Sequence, residues 1–427
     1  MSYDAVVVGA GLAGLTAALR LTEEGQRVLV VARGVGATHL APATVDVLGY
    51  LGDDRVENPA SSMGALVANA PEHPYRHVTP AQLAAALAWF RARVPALGYS
   101  GGIEENLLLP TALGVPKPSA LAPRSMSGGD LRAGGRFVFV GFKGFKDFHP
   151  TLIADNLARA RLPAPLAARA LELELPPGRR GDLGGRVLAG LFDNDRLSEW
   201  LIVALQNRTE PDERIGVPAV LGLRRFDETW RELEQRLDRQ VFEVATLPPS
   251  IPGIRLFDAL TAALRAGGAR VVLGVRAVGA RTTGGRIDAV DVANATGTVS
   301  YPTGAVVLAS GGFASGGLEL DSFGSTRETI FGLPLIGVSG TDRVRFAPGY
   351  FAAQPLAAAG LSTDELFRPV NADGGPVYTN LHAAGAMLGG AVAWKEKSGT
   401  GISIATGYAA AGCMLAPATE PSSQAVR

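Results

Sequence analysis

Gly9-Ala10-Gly11-Leu12-Ala13-Gly14 is the stretch whose residue types and spacing most plainly do chemistry. Glycines at these intervals bring bare backbone up to an anion. Gly9 permits a tight turn, Gly11 lets main chain approach a phosphate, and Gly14 lets the next helix pack close. The start of that helix adds unpaired N–H groups and the positive end of a dipole. Gly399-Thr400-Gly401 opens a second small-residue helix, Ile402–Ala411, and offers another place for a phosphate or a ring oxygen. His39 brings a group whose ordinary pKa, about 6.5, suits proton exchange near neutrality. Arg255, Arg327 and Arg368 are candidates to clamp a phosphate or steady a negative charge, with Asp46 and Asp364 as ionic partners. Arg368, just before Pro369, is the favoured one.

The elements around the first motif are those it needs. Ala5–Val8 is too short for a helix and suits a buried parallel strand. Leu12–Glu24 reads as a helix with Leu12, Leu15, Ala18 and Leu19 on one face and Gly25 as its stop. Arg27–Ala32 is a second strand. A glycine motif in a complete strand–turn–helix–strand setting points to a nucleotide or a flavin. At the end of the second strand an Asp or Glu ordinarily binds a ribose 2′-OH. Here stand Ala32 and Arg33, and no acid follows until Asp46. Either a dinucleotide binds without that contact, or a mononucleotide phosphate sits on the glycine turn. The second reading favours FMN over FAD or NAD.

Further along, Thr79-Pro80 starts a helix with a good cap. Residues 98–135, rich in Gly, Pro and Ser, read as loop. Strands at 137–140, 170–175, 215–221 and 241–245 alternate with helices at 147–160, 197–206 and 226–239, which makes an inserted α/β unit. Lys143 and Lys146, beside glycines at a strand end, either hold a phosphate or sit in a solvated loop. A helix from Arg255 to Ala266, a strand at 269–273 and antiparallel hairpins lead to Ala305–Ala309 and Ser310-Gly311-Gly312. Asn380–Gly385 follows later.

The chain of 427 residues is long enough for more than one core. Lys+Arg and Asp+Glu are both 40, so no bulk positive charge argues for nucleic acid or an anionic membrane surface. Cys413 is the single cysteine, which excludes an internal disulfide and a Cys-ligated metal or iron–sulfur centre, and it reads as buried and inert. No apolar run reaches the roughly 18 residues that span a bilayer. The expected location is cytoplasmic.

Taken together and in order, these blocks resemble a known family. The glycine motif, the Val306–Gly312 strand and the Asn380–Gly385 stretch resemble the two-dinucleotide-binding-domain flavoproteins. Arg33-Gly34 with Thr38-His39 and Val45–Leu48, Phe139–Phe148, Leu247–Leu256, Ser310–Phe313 with Ser315–Leu318, and Thr363–Glu365 with Arg368-Pro369 are similar to the B subunit of anaerobic glycerol-3-phosphate dehydrogenase. The resemblance implies an α/β, Rossmann-like FAD/NAD(P)-binding-type flavoprotein domain from 1–50, 254–312 and 376–427, with an inserted helical and α/β unit over 51–253 and a substrate or cap segment over 313–375. It implies FMN, with FAD the alternative. It implies two partners, a FAD-bearing catalytic A subunit with a membrane-attached iron–sulfur C subunit. The complex would oxidise sn-glycerol 3-phosphate to dihydroxyacetone phosphate and pass electrons to quinone, at the inner face of the cell membrane. The missing acid at Ala32, and Ala386 where FAD relatives carry an acid, agree with FMN.

On that resemblance the cofactor set is Gly9, Gly11, Leu12, Ala13, Gly14, Arg33, Gly34, Thr38, Ser310, Gly311, Gly385, Gly399, Thr400 and Gly401, with no metal. His39, in a loop that reaches the ring in such flavoproteins, and Arg368 are the catalytic candidates. The helix start at Gly401-Ile402 either donates to the edge of the ring or is simply closely packed. The competing readings are a stand-alone FAD-dependent dehydrogenase and a flavin-free docking subunit.

Overall fold

The computed structural model describes residues 2–176, 183–194, 197–338, 346–349, 352 and 354–416. The apolar runs near the N-terminus form the expected unit: strand β1 (Tyr3–Val8), helix α1 (Leu12–Glu23) and strand β2 (Val28–Ala32). Val6, Val7, Leu29 and Val30 are wholly buried, as strands covered on both faces require. Strands β3 (Arg270–Leu273), β4 (Arg276–Thr283), β5 (Arg286–Asn294), β6 (Gly297–Leu308) and β7 (Leu381–Ala383) complete a seven-stranded sheet of order β3-β2-β1-β6-β5-β4, with β7 pairing β6. The long β6 does two jobs. Its first half pairs β5 antiparallel, and its second half pairs β1 and β7 in parallel.

The chain divides into two compact units: Met1–Gly34, Leu264–Gly390 and Ala405–Arg427 in the first, Val35–Ala263 and Ala391–Ile404 in the second. These bounds differ from those read in the sequence at 50, 254, 313 and 376. Residues 35–50 hydrogen-bond within the second unit, where Val45 N–H donates to Leu121 O and Tyr99 OH to Ala43 O. The segment read as a cap, 313–375, is grouped with the first unit. Leu361 N–H donates to Met387 O, and Ile336 pairs with Gly360, inside the first unit.

The second unit carries the inserted α/β core. Its sheet is four-stranded and all parallel, ordered Leu166–Leu173, Gly135–Phe142, Glu213–Pro218, Val241–Val244. Phe137, Phe139 and Phe242 meet there edge to face and offset, with ring centres about 6 Å apart, as aromatic quadrupoles prefer. Thr79 caps helix Pro80–Arg93 in a complete capping box with Gln82. The glycine- and proline-rich stretch after Gly98 is more ordered than its composition predicts. Leu107–Pro110 and Pro116–Ser119 pair as a hairpin, a two-stranded ladder that tolerates prolines at its edges. Helices Pro59–Asn69 and Gly185–Asn194 also escaped the sequence reading.

Candidate functional site

In the first unit four parallel strands end at one edge. Val8 lies level with Val31 and with Leu308, and Leu308 with Ala383. The register therefore gathers the loops Gly9–Gly14, Arg33-Gly34, Ser310-Gly311 and Gly385 at the carboxyl ends of the strands, where open α/β sheets bind ligands.

The three glycines of the motif have different jobs. Gly9 has φ +117°, and a Cβ there would stand 2.2 Å from Ala309 O. A Cβ on Gly14 would stand 2.0 Å from Gly9 O. Both are closed by packing. Gly11, the N-cap of α1, has extended backbone, and its Cβ would meet no atom within 4 Å. It faces open space beside the first-turn N–H groups of Leu12, Ala13 and Gly14, which an α-helix leaves unpaired. No acidic side chain occupies that turn. Ser310 Oγ is buried with no protein partner. An open cradle, a helix start and an orphaned hydroxyl in one unit fit a phosphate-bearing cofactor. Gly311 (φ +79°) and Gly385 (φ +75°) turn the other two loops. The Gly385 N–H is already given to Thr406 Oγ1 at 2.9 Å, so Gly385 contributes shape rather than a donor. Ala32 is buried at the end of β2, and Arg33 is exposed.

The other candidates lie in the second unit. Thr38 Oγ1 and His39 Nε2 are buried atoms without protein partners. The His39 ring stands edge-on to Phe257 at 4.9 Å, and its carbonyl accepts from Ser250 N–H. Thr400 Oγ1 accepts the Asp46 N–H at 2.7 Å, and Gly401 N–H donates to Asp46 O at 2.9 Å. A Cβ on Gly401 would stand 2.5 Å from Tyr75 Oη. Ile402 N–H donates to Ser398 O. Both N–H groups considered as ring donors, those of Gly401 and Ile402, are thus spent inside the protein. Close packing is the role of Gly401. Behind it Glu396 accepts from Ser398 Oγ at 2.7 Å and meets the wholly buried His73 at 3.2 Å.

The three candidate arginines, Arg255, Arg327 and Arg368, are each paired. Arg368 Nε and Nη2 reach Asp364 Oδ2 at 2.8 and 2.7 Å, and Asp364 Oδ1 accepts the N–H groups of Leu366 and Arg368. That pair ties a tight turn in the first unit. Arg327 pairs with Glu319 across the exposed hairpin of Leu318–Leu320 and Thr326–Glu328. Arg255 is buried against Glu243. Lys143 pairs with Glu174 in a solvated loop. Cys413 is half-buried, and burial pushes its thiol pKa up.

Burial holds the pKa of His39 below the usual histidine value, with Asp258 pulling it up and Arg186 pushing it further down. Burial does the same to His382, whose Nδ1 lies 2.7 Å from Leu366 O. The folded chain therefore binds fewer protons than the unfolded one just below pH 6.5. Stability contributed by these groups is complete above about pH 6.5 and is lost as pH falls toward the folded values. We expect the urea midpoint to be lower at pH 5.5 than at pH 7.5, and the difference to shrink in His382→Gln. A midpoint equal or higher at pH 5.5 in the wild type, with no change in the variant, contradicts this.

The FAD binding domain family matches residues 4–402. The chain is 34% identical to the B subunit of a probable anaerobic glycerol-3-phosphate dehydrogenase of Halobacterium salinarum, over 95% of this chain and 96% of that protein. It is 30% identical to the B subunit of the Vibrio cholerae anaerobic glycerol-3-phosphate dehydrogenase, over 97% of each, and 32% identical to that of Pectobacterium atrosepticum, over 95% and 96%. The chain belongs to the family of anaerobic glycerol-3-phosphate dehydrogenase B subunits. The expected flavoprotein fold class holds, and the family match supports a flavin cofactor. Among solved structures, the 3-ketosteroid Δ1-dehydrogenase of Sterolibacterium denitrificans is similar, with a TM-score of 0.47 and 13% identity over 97% of this chain and 99% of that one.

Proposed function

We propose that this chain is the flavin-bearing B subunit of an anaerobic glycerol-3-phosphate dehydrogenase. It works beside a FAD-bearing A subunit, with a membrane-attached iron–sulfur C subunit, at the inner face of the cell membrane. The assembly oxidises sn-glycerol 3-phosphate to dihydroxyacetone phosphate and delivers the electrons to quinone in anaerobic respiration on glycerol. The supporting observation is the open phosphate cradle at Gly11, in a chain that aligns nearly end to end with its B-subunit relatives.

A bound flavin supplies reversible one- and two-electron chemistry. The protein supplies position and charge. The N–H groups after Gly11 hold the phosphate, and Ser310 Oγ adds a donor. His39, kept neutral by burial, takes or gives a proton at Nε2. FMN is the proposed cofactor, because Ala32 has no side-chain carboxylate to offer an adenosine ribose. The family's FAD binding description supports FAD as the second reading.

The reading is tested by assembly. Glycerol-3-phosphate-dependent reduction of a soluble quinone by the A and C subunits should rise at least about tenfold when this chain is added. No dependence on this chain, or full substrate oxidation by this chain alone, contradicts it and favours a stand-alone dehydrogenase.

A further inference from the structure

The chain has only five lysines, Lys117, Lys143, Lys146, Lys395 and Lys397, against an abundance of arginine. Two of the five, Lys117 and Lys397, line one cavity of about 360 Å³ in the second unit, and among the described residues they are its only charged lining residues. That volume is in the range of small-molecule sites. Most of the wall is apolar. Leu40, Leu113, Val115 and Leu247 are unusually exposed for aliphatic side chains, at 59%, 52%, 54% and 43%, and all four line this cavity. Exposed apolar surface gathered at one place marks a binding site.

The charges do not balance. Lys117 Nζ reaches Asp46 Oδ2 at 2.7 Å and Thr44 Oγ1 at 2.8 Å. The remaining Asp46 oxygen is occupied by Ser119 Oγ at 2.7 Å and Thr44 Oγ1 at 3.0 Å. Asp46 is therefore committed to Lys117. Lys397 Nζ has a carbonyl, Trp394 O at 2.7 Å, and keeps further N–H groups to give. Its backbone is left-handed, with φ +52°, which fixes the root of the side chain in an uncommon conformation. Burial and the neighbouring Lys117 both lower its pKa, and Asp46 offsets this only in part. Two ammonium groups face one carboxylate, with apolar walls around them.

We propose that this cavity binds a small amphiphilic anion, its carboxylate or phosphate held by Lys397 with Lys117 and its apolar body against Leu40, Leu113, Val115 and Leu247. An anionic head completes the charge balance, and an apolar body covers surface that water otherwise solvates at a cost. A polyol phosphate would satisfy the lysines and leave the apolar walls unused. A concave cavity, rather than a flat patch, favours a small molecule over a protein partner. The proposal does not rest on the flavin reading.

Calorimetric titration of the full-length chain as purified tests it, with octanoate, octyl phosphate, 1-octanol and inorganic phosphate as probes. Octanoate or octyl phosphate should bind one site at least about tenfold more tightly than 1-octanol and than inorganic phosphate. Whichever head group binds better identifies the source of the anion as carboxylate or phosphate. Lys397→Met should weaken the tighter probe at least about tenfold, with melting temperature and flavin content unchanged, since Lys397 holds no ion pair the fold needs. Equal affinity for octanoate and 1-octanol, or affinity that survives Lys397→Met, overturns the proposal. So does inorganic phosphate binding as tightly as octyl phosphate. Absence of probe binding, together with burial of these aliphatic residues by an added partner protein, overturns it in favour of a protein interface.

Discussion

Gly11→Val yields a folded chain that has lost its flavin, whereas Gly14→Ala, a smaller change, disrupts the fold. The difference lies in where each Cβ goes. At Gly14 the new carbon would stand 2.0 Å from Gly9 O, and the turn is held in place, because Gly9 N–H donates to Val31 O at 2.9 Å. Relieving that overlap shifts the turn between β1 and α1, a loss of about 3 kcal/mol or more, at or beyond the upper end of ordinary overpacking. At Gly11 a side chain meets nothing within 4 Å, and the backbone is one that any residue adopts. Valine there costs about 1 kcal/mol as a poorer N-cap. Its methyl groups, however, occupy the space through which a phosphate reaches the N–H groups of α1. Flavin content per folded chain should fall below about one-tenth of wild type, the loss of several charge-assisted hydrogen bonds at once. Absorbance of the purified variant and its urea midpoint, taken together, check both halves. A yellow Gly11→Val protein at full occupancy contradicts the assignment of the cradle.

Arg255→Met is expected to be the most destabilising single change in the second unit, by about 3–5 kcal/mol. The side chains of Arg255 and Glu243 are 3% and 0% exposed. The guanidinium grips both carboxylate oxygens, at 2.6 and 2.9 Å, and gives its Nε–H to Gly222 O at 2.7 Å. It also lies 4.3 Å from the centre of the Phe226 ring. Removing the arginine leaves a buried carboxylate without its counter-charge. Pairs of this kind are often replaceable by two apolar residues at little loss. Here the double variant Arg255→Met/Glu243→Leu should recover only part of the stability. Glu243 also accepts from Ser125 Oγ and Leu221 N–H, and leucine orphans both. Urea unfolding of the two single variants and the double variant measures the coupling. A loss under about 1 kcal/mol for Arg255→Met contradicts this reading.

The parts that sequence made legible are those built from short-range rules. The β1–α1–β2 unit follows from an apolar run, a glycine turn and a helix stop within thirty-odd residues, and Thr79-Pro80-Ala81-Gln82 carries its own capping box. The alternation of the inserted parallel sheet was equally visible. What escaped depends on pairings between distant segments. Nothing local says that residues 35–50 bond with Leu121 and Thr400, so a boundary read from sequence falls later than the one at Gly34. Asp364 is legible in sequence as a candidate partner for the arginines, but that its four-residue spacing spends Arg368 on closing a turn is visible only in the packed chain. Gly401 reads in sequence as either a ring donor or a closely packed glycine, and Asp46 O decides between them by taking its N–H. The cavity joins Lys117, Leu247 and Lys397, three positions with no common motif. The orphaned atoms of Ser310, Thr38 and His39 are invisible without coordinates, because being unpartnered is a property of the packed chain.

The central claim is that this member of the B-subunit family carries a flavin on the Gly11 cradle. The most direct test is to purify the chain, record its visible spectrum, denature it and identify the released cofactor by chromatography. The expected result is a yellow protein releasing about one FMN per chain. FAD in its place would keep the flavin site and overturn the reading of Ala32. A folded, colourless chain that takes up neither flavin on incubation would contradict the claim itself.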